Sequence, residues 1–292
     1  MMQAKMLPMP KFSGKTILIT GGSRGIGLAI AMRFAAAGGA IVVLTKDSNE
    51  QIQKSADQIV AAGGKALVLN VDVADVGAIQ QAAAQAVDLF GGIDILVNNT
   101  SAQCFTDTLH TAPEQFNLLV ATSVRAAFFL AQACHPHLKK SSNPHIINIS
   151  PPLTKDPYWF KNHLAFSIGK SAMSLCTLGM AEEFKQDGIA VNSLWPKTAI
   201  ATQTIQDHFL PKVYTSSRWP SIMGDAAYEL GLRNSRQCTG RFFTDEELLR
   251  EVGQTDFSQY AVDPRSSLMQ AFFLPVDEQL NRVAQELFLQ NQ

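Results

Sequence analysis

The chain of 292 residues carries 24 Lys and Arg against 25 Asp and Glu, a net charge of −1, so it offers no basic surface for nucleic acid or an anionic membrane. Apolar residues make up 46 % and charged residues 17 %, enough to bury one large core and too apolar for a disordered chain. Cys104, Cys134, Cys176 and Cys238 are widely scattered with no CxxC pair, which argues against a disulfide framework; no metal site is read. The opening MMQAKMLPMPKF is too short and proline-interrupted for a signal peptide. No apolar run approaches the roughly 18 residues of a membrane span, and the final LQNQ is not a peroxisomal address. A cytoplasmic protein is expected.

In chain order, the first informative stretch is KTILITGGSRGIG, residues 15–27. Residues 16–20 are short, apolar and β-branched. Gly21, Gly25 and Gly27 follow in a GxxxGxG spacing, and Ile26, Ile30, Phe34 and Ala37 then form an apolar stripe at helical spacing. A strand, a glycine turn and a helix start form a pyrophosphate cradle, because the turn lacks Cβ atoms and the helix N-terminus carries roughly half a positive charge. Further strands are expected at 41–45, 66–71, 93–98, 145–150, 189–194 and 241–243. Helices are expected at 49–62, 75–90, 113–139 and 164–184. The strands read as nearly unbroken apolar runs, which implies a parallel sheet covered on both faces by right-handed crossovers. The expected fold is thus α/β, a doubly wound Rossmann-type three-layer sandwich with a seven-stranded parallel sheet. Residues 1–292 read as one domain. Short helices at 198–209 and 221–232 suggest a substrate lid over 196–232. A C-terminal extension, 244–292, carries helix signals at 246–252 and 277–288.

With Thr20, Gly21, Gly25 and Gly27 in TGxxxGxG, the chain resembles the short-chain dehydrogenase/reductase family. The resemblance implies a nicotinamide cofactor. Ser23, Arg24 and Ile26 lie in or beside its phosphate loop, and Asp72 and Val73 stand at its adenine acceptor. Asn98 and Asn99 match the family's NNAG, here NNTS. Pro196, Thr198 and Ala199 occupy the segment that meets the carboxamide, with Lys197 replacing a glycine. Lys46 stands where NAD-specific members place an acid, and with Arg24 it attracts a 2′-phosphate; the adjacent Asp47 argues the other way. NADP(H) is favoured and NAD(H) remains possible.

The resemblance also implies a catalytic Asn, Ser, Tyr and Lys. The tyrosine moves the proton, and the lysine, one helical turn later, lowers its pKa and holds the ribose. Here Lys170 is present, Ser150 matches the serine, Phe166 occupies the tyrosine position and Ser123 the asparagine position. Tyr158, Tyr214, His163 and Ser167 are candidate substitutes for the missing acid. Phe105, Trp159, Phe160, Trp195 and Ile200 suit a small apolar carbonyl or alcohol. The expected activity is an oxidoreductase impaired by loss of the tyrosine. The alternative is a non-catalytic nucleotide-binding protein serving as a sensor or oligomer partner. The family resemblance further implies a homodimer or homotetramer built through the helices at 113–139 and 164–184.

Overall fold

The computed structural model describes residues 11–275. Seven strands form one parallel sheet: β1 (Thr16–Thr20), β2 (Ala40–Thr45), β3 (Lys65–Asn70), β4 (Ile95–Asn98), β5 (His145–Asn148), β6 (Ala190–Trp195) and β7 (Phe242–Thr244). Their order is β3-β2-β1-β4-β5-β6-β7, and neighbours pair in parallel register, for example Ile17 with Ile41 and Ile95. Alternate residues of one strand serve opposite faces of a sheet. Ile17 and Ile19 therefore enter one core with Phe34 and Ile222, whereas Leu18 enters the other with Ile79 and Leu130. Burial on both faces explains why the strands lack the polar alternation of a half-exposed sheet.

Helices α1 (Gly25–Ala36), α2 (Asn49–Ala61) and α3 (Val76–Phe90) link the first strands. Asp75 caps α3, its Oδ1 accepting from Gly77 N at 2.8 Å and Ala78 N at 3.2 Å. The helix expected over 113–139 is present but divided: α4 (Pro113–Val120), one π turn at Ala121–Arg125, then α5 (Ala126–Leu138). Helix α6 (Leu164–Glu183) follows β5. By length and composition, Pro113–Leu138 and Leu164–Glu183 are each apolar enough to cross a bilayer, contrary to the reading that no such run exists. Their inner faces pack on the sheet, as in the core helices of a soluble fold.

After β6 come α7 (Gln203–His208), α8 (Pro211–Thr215) and α9 (Ser221–Leu232), then α10 (Asp245–Glu251) after β7. Within 196–232, where a substrate lid is expected, the residues that line the cleft fall between Pro196 and Val213. Helix α9 packs along α1 with Ile222, Met223, Ala226, Ala227 and Leu230 in the core, which leaves 196–215 above the cleft. The stretch expected as an extension folds back across this segment: Ala199 N donates to Met269 O at 2.8 Å and Ala271 N to Lys197 O at 3.1 Å. The helix expected at 277–288 lies outside the described residues.

Candidate active site

A cleft of about 640 Å³ opens at the carboxyl ends of the strands, where crossovers from β1 and β4 diverge to opposite sides. Gly21 (φ 63°) and Gly25 (φ 55°) take left-handed backbone at the β1–α1 turn, which favours glycine. A Cβ on Gly21 would stand 2.9 Å from Thr100 Oγ1, so the turn has room for a ligand only because the side chain is absent. Arg24 is the N-cap of α1. No side chain caps this helix and no acid sits in its first turn, which leaves the positive helix end open for an anion. Gly21, Ser23, Arg24, Gly25 and Ile26 line the cleft.

Gly27 does not line it. A Cβ there would collide with Gly21 O, so its role is close packing of α1 on the turn. Gly27→Ala is expected to cost about 1–3 kcal/mol or more through forced backbone movement, lowering the melting temperature and weakening nucleotide binding together. Thermal unfolding and a nucleotide titration on the same sample check this.

At the end of the cleft beside β2 and β3, the Asp47 carboxylate turns inward. It accepts from Ser23 Oγ and, at 3.0 Å, from Thr45 Oγ1, with Arg24 Nη2 3.9 Å away. Lys46 Nζ pairs with Asp72 Oδ2 at 2.7 Å, and this bond holds the Asp72 carboxyl below its ordinary pKa. The carboxylates are occupied, whereas the Arg24 and Lys46 side chains are 64 % and 74 % exposed at the rim. Lys46, Asp72 and Val73 all line the cleft.

Asn98 does not. It is buried and its Nδ2 donates to Asn148 Oδ1 at 2.8 Å, because alternate strand residues point away from each other. Asn99 takes its place in the wall, with Nδ2 donating to Thr20 O at 2.9 Å and Gly21 O at 3.1 Å. Thr20 Oγ1 accepts from Asn99 N and Thr100 N and so fixes the next loop. Thr100 and Ser101, bulkier than the family's residues there, line the cleft without filling it. Thr100 Oγ1 is buried beside the glycine turn with no hydrogen-bond partner among the described residues.

At the other end, α6 presents Phe166 and Lys170 one turn apart, both in the wall. Lys170 Nζ donates to Ile149 O at 3.0 Å and lies 5.5 Å from the Trp195 ring; burial pushes its pKa down to about 8. Phe166 packs against Phe105 (5.1 Å between centroids) and Phe273 (6.1 Å). Pro196, Thr198 and Ala199 complete this wall.

Two expected catalytic positions face elsewhere. Ser150 is fully buried, its Oγ is 2.5 Å from Ser193 Oγ, and it is absent from the wall. Strand β5 ends at Asn148, and the alternation beyond it brings Ile149 to the cleft and turns Ser150 toward β6. Ser123 is buried in the π turn and donates to Leu119 O at 2.5 Å, satisfying a carbonyl near the irregular turn; Leu118 and Thr122 face the cleft instead. None of Tyr158, Tyr214, His163 and Ser167 lines the cleft. His163 Nδ1 and Ser167 Oγ are 3.0 Å apart behind Phe166.

The apolar wall combines Phe105, Trp195 and Ile200 with Phe209 and Val213 from the α7–α8 segment. Trp159 lies in the core, and Phe160 is not in the wall. Met269–Phe272, from the far end of the described chain, form a strap along the same wall, bridged to Thr198 through Gln270. Sequence reasoning missed this strap, since only pairing with a segment some 70 residues earlier brings it there.

Between α8 and α9, Arg218 Nη1 pairs with Glu246 Oε2 at 2.7 Å. Asp245 Oδ1 accepts from Lys197 N at 2.8 Å and Glu246 N at 2.7 Å, and burial pushes its carboxyl up to about 6.

A glycine turn, an open helix start and a buried lysine around one switch-point cleft define a nucleotide-fold protein of the dehydrogenase type. Residues 15–209 match the short chain dehydrogenase family model, and the chain belongs to the short-chain dehydrogenase/reductase family. It is 47 % identical over 270 residues to hydroxysteroid dehydrogenase-like protein 2 of Danio rerio, covering 90 % of this chain and 65 % of that protein. The chain thus spans just under two thirds of that curated relative. Among solved structures, a short chain dehydrogenase from Mycobacterium thermoresistibile is 38 % identical with a TM-score of 0.84, covering 92 % of this chain and 98 % of that one. A short chain dehydrogenase from Burkholderia cenocepacia J2315 in complex with NADP is 26 % identical with a TM-score of 0.70, covering 80 % and 97 %.

Proposed function

We propose that the cleft binds a nicotinamide dinucleotide, NADP(H) in preference to NAD(H), and that the protein is an oxidoreductase of small apolar aldehydes, ketones or alcohols, slowed at proton transfer by Phe166. The observation that carries this reading is the open α1 N-terminus and the buried Lys170 at two ends of one cleft. When bound, the nicotinamide supplies or accepts the hydride. The backbone N–H groups of 24–26 would hold the pyrophosphate, Lys170 would meet the ribose, and Pro196 to Ala199 would meet the carboxamide. Phe105, Phe209 and Phe272 receive the apolar substrate and exclude water. Since neither Ser150 nor Phe166 offers a proton to the cleft, water carries it. The relatives' name makes a hydroxysteroid a sensible first substrate to try.

Preference for NADP(H) is supported by the exposed Arg24 and Lys46 beside an Asp47 already occupied by Ser23 and Thr45. The double variant Arg24→Ala, Lys46→Ala is expected to weaken NADPH at least ~10-fold, the scale of one charge-assisted phosphate contact, and to leave NADH nearly unchanged. Parallel calorimetric titrations test it; equal losses for both nucleotides overturn the preference.

A second reading, a non-catalytic nucleotide-binding protein, is favoured by Phe166 and by the inward turn of Ser123 and Ser150. Nucleotide binding without turnover of any apolar carbonyl or alcohol selects it. A homodimer or homotetramer is supported by Phe116, Phe128, Leu175 and Leu178, exposed on α4, α5 and α6; light scattering tests it.

A further inference from the structure

We propose that Lys170, when no nucleotide fills the cleft, captures aldehydes as a reversible imine, so that the protein is also a covalent carbonyl-binding protein. The inference rests on the cleft being a small-molecule site and does not require turnover.

Among the described lysines Lys170 alone is buried, at 5 % exposure, and it stands in the cleft wall. Lysines 15, 46, 139 and 185 each pair with a carboxylate at the surface. Lys170 has no such pairing among the described residues, and its recorded hydrogen bond is to one carbonyl, Ile149 O at 3.0 Å. One turn earlier, Phe166 has no hydroxyl to draw on the ammonium. The charged groups of the cleft are Arg24, Lys46, Asp47 and Asp72 at the adenosine end and Asp207 on the lid, and none forms an ion pair with Lys170. His163 lies behind Phe166 and outside the wall.

These are the conditions under which a lysine becomes a nucleophile. With a pKa near 8, about a fifth of the side chain is neutral amine at about pH 7.4, against about a thousandth for an ordinary lysine. The Nζ lone pair forms a bond to the aldehyde carbon as the C=O π pair moves to oxygen, which takes a proton from nitrogen. The carbinolamine then loses water as C=N forms. Amine plus aldehyde gives imine plus one water, with no change in oxidation state. Phe105, Phe272 and Trp195 hold an alkyl or aromatic tail and keep water from the C=N bond.

The test is a short exposure of the intact protein to hexanal with sodium cyanoborohydride, followed by peptide mapping. Lys170 is expected to be alkylated at least ~10-fold faster than any exposed lysine, with a rate rising through about pH 8 and suppressed by saturating NADPH. Tryptophan emission from Trp195 should fall in step. Lys170→Arg, if folded, should lose this adduct while labelling of the exposed lysines stays as in the wild type; the wild-type map stands without it. Labelling of Lys170 no faster than of exposed lysines, in protein that binds NADPH, overturns the imine and leaves the nucleotide reading intact. Failure of both labelling and NADPH binding overturns both.

Discussion

Phe166→Tyr raises the rate of carbonyl reduction by about 10²–10⁴-fold, the usual contribution of a positioned general acid. The ring stands in the cleft wall between Phe105 and Phe273, with Lys170 one turn on. A hydroxyl on that ring would stand one helical turn from the Lys170 ammonium, whose positive charge favours release of the phenol proton. The gain should fall toward the lower end, because the Ser150 hydroxyl remains on Ser193 and Ser123 remains on Leu119 O. Nucleotide affinity should hardly change, so the effect belongs in kcat. Steady-state kinetics with NADPH and an apolar aldehyde measure it. A folded, nucleotide-binding variant whose rate stays within twofold of the wild type would show that the site lacks more than a proton donor.

Arg218→Met should destabilise the fold by about 3–5 kcal/mol, the effect of removing one partner from a buried ion pair. For a chain of this size that is roughly a 6–15 °C fall in melting temperature. Arg218 is buried and pairs with Glu246, and its N–H and C=O bond Ala199 O and Ala201 N, each at 2.9 Å. Methionine leaves those backbone bonds possible but takes the cation from the buried Asp245 and leaves Glu246 with the more exposed Arg250 as its one remaining partner among the described residues. The loss depends on pH in a definite sense. Burial raises Asp245 from 3.8 to about 6, and the Arg218 charge opposes that rise. The folded state therefore holds the Asp245 proton more tightly than the unfolded chain, and this contribution is full below about 3.8 and lost as pH rises through 6. Without Arg218 the ionised carboxylate costs more. The deficit of the variant should be greatest above pH 6 and shrink toward pH 4. Thermal melts across that range check the sign, and a deficit independent of pH contradicts the pairing.

Much of this was readable from local patterns. Runs such as TILIT announce a strand buried on both faces, and the glycine spacing before the Ile26–Ile30–Phe34 stripe announces the turn and its helix. The i, i+4 relation of Phe166 and Lys170 places both on the wall, as observed. What stayed hidden depends on register and on contacts distant in sequence. Whether Asn98 or Asn99 faces the cleft depends on where β4 stops, and a shift of one residue reverses the side chain. Ser150 is lost in the same way, just past the end of β5. The π turn at Ala121–Arg125 has no helix-breaking residue to betray it, and α9 looks like a surface helix until α1 is seen against it.

The strap at Met269–Phe272 has a consequence for how this protein changes over time. The residues proposed to meet a nucleotide come from the first half of the chain, from α6 and from Pro196–Ala199, while part of the apolar wall is supplied from the last described stretch. Replacements near the tail can therefore remodel the chamber's width without touching the glycine turn, while any shift of the strap's backbone is passed to Lys197 and Ala199 beside it.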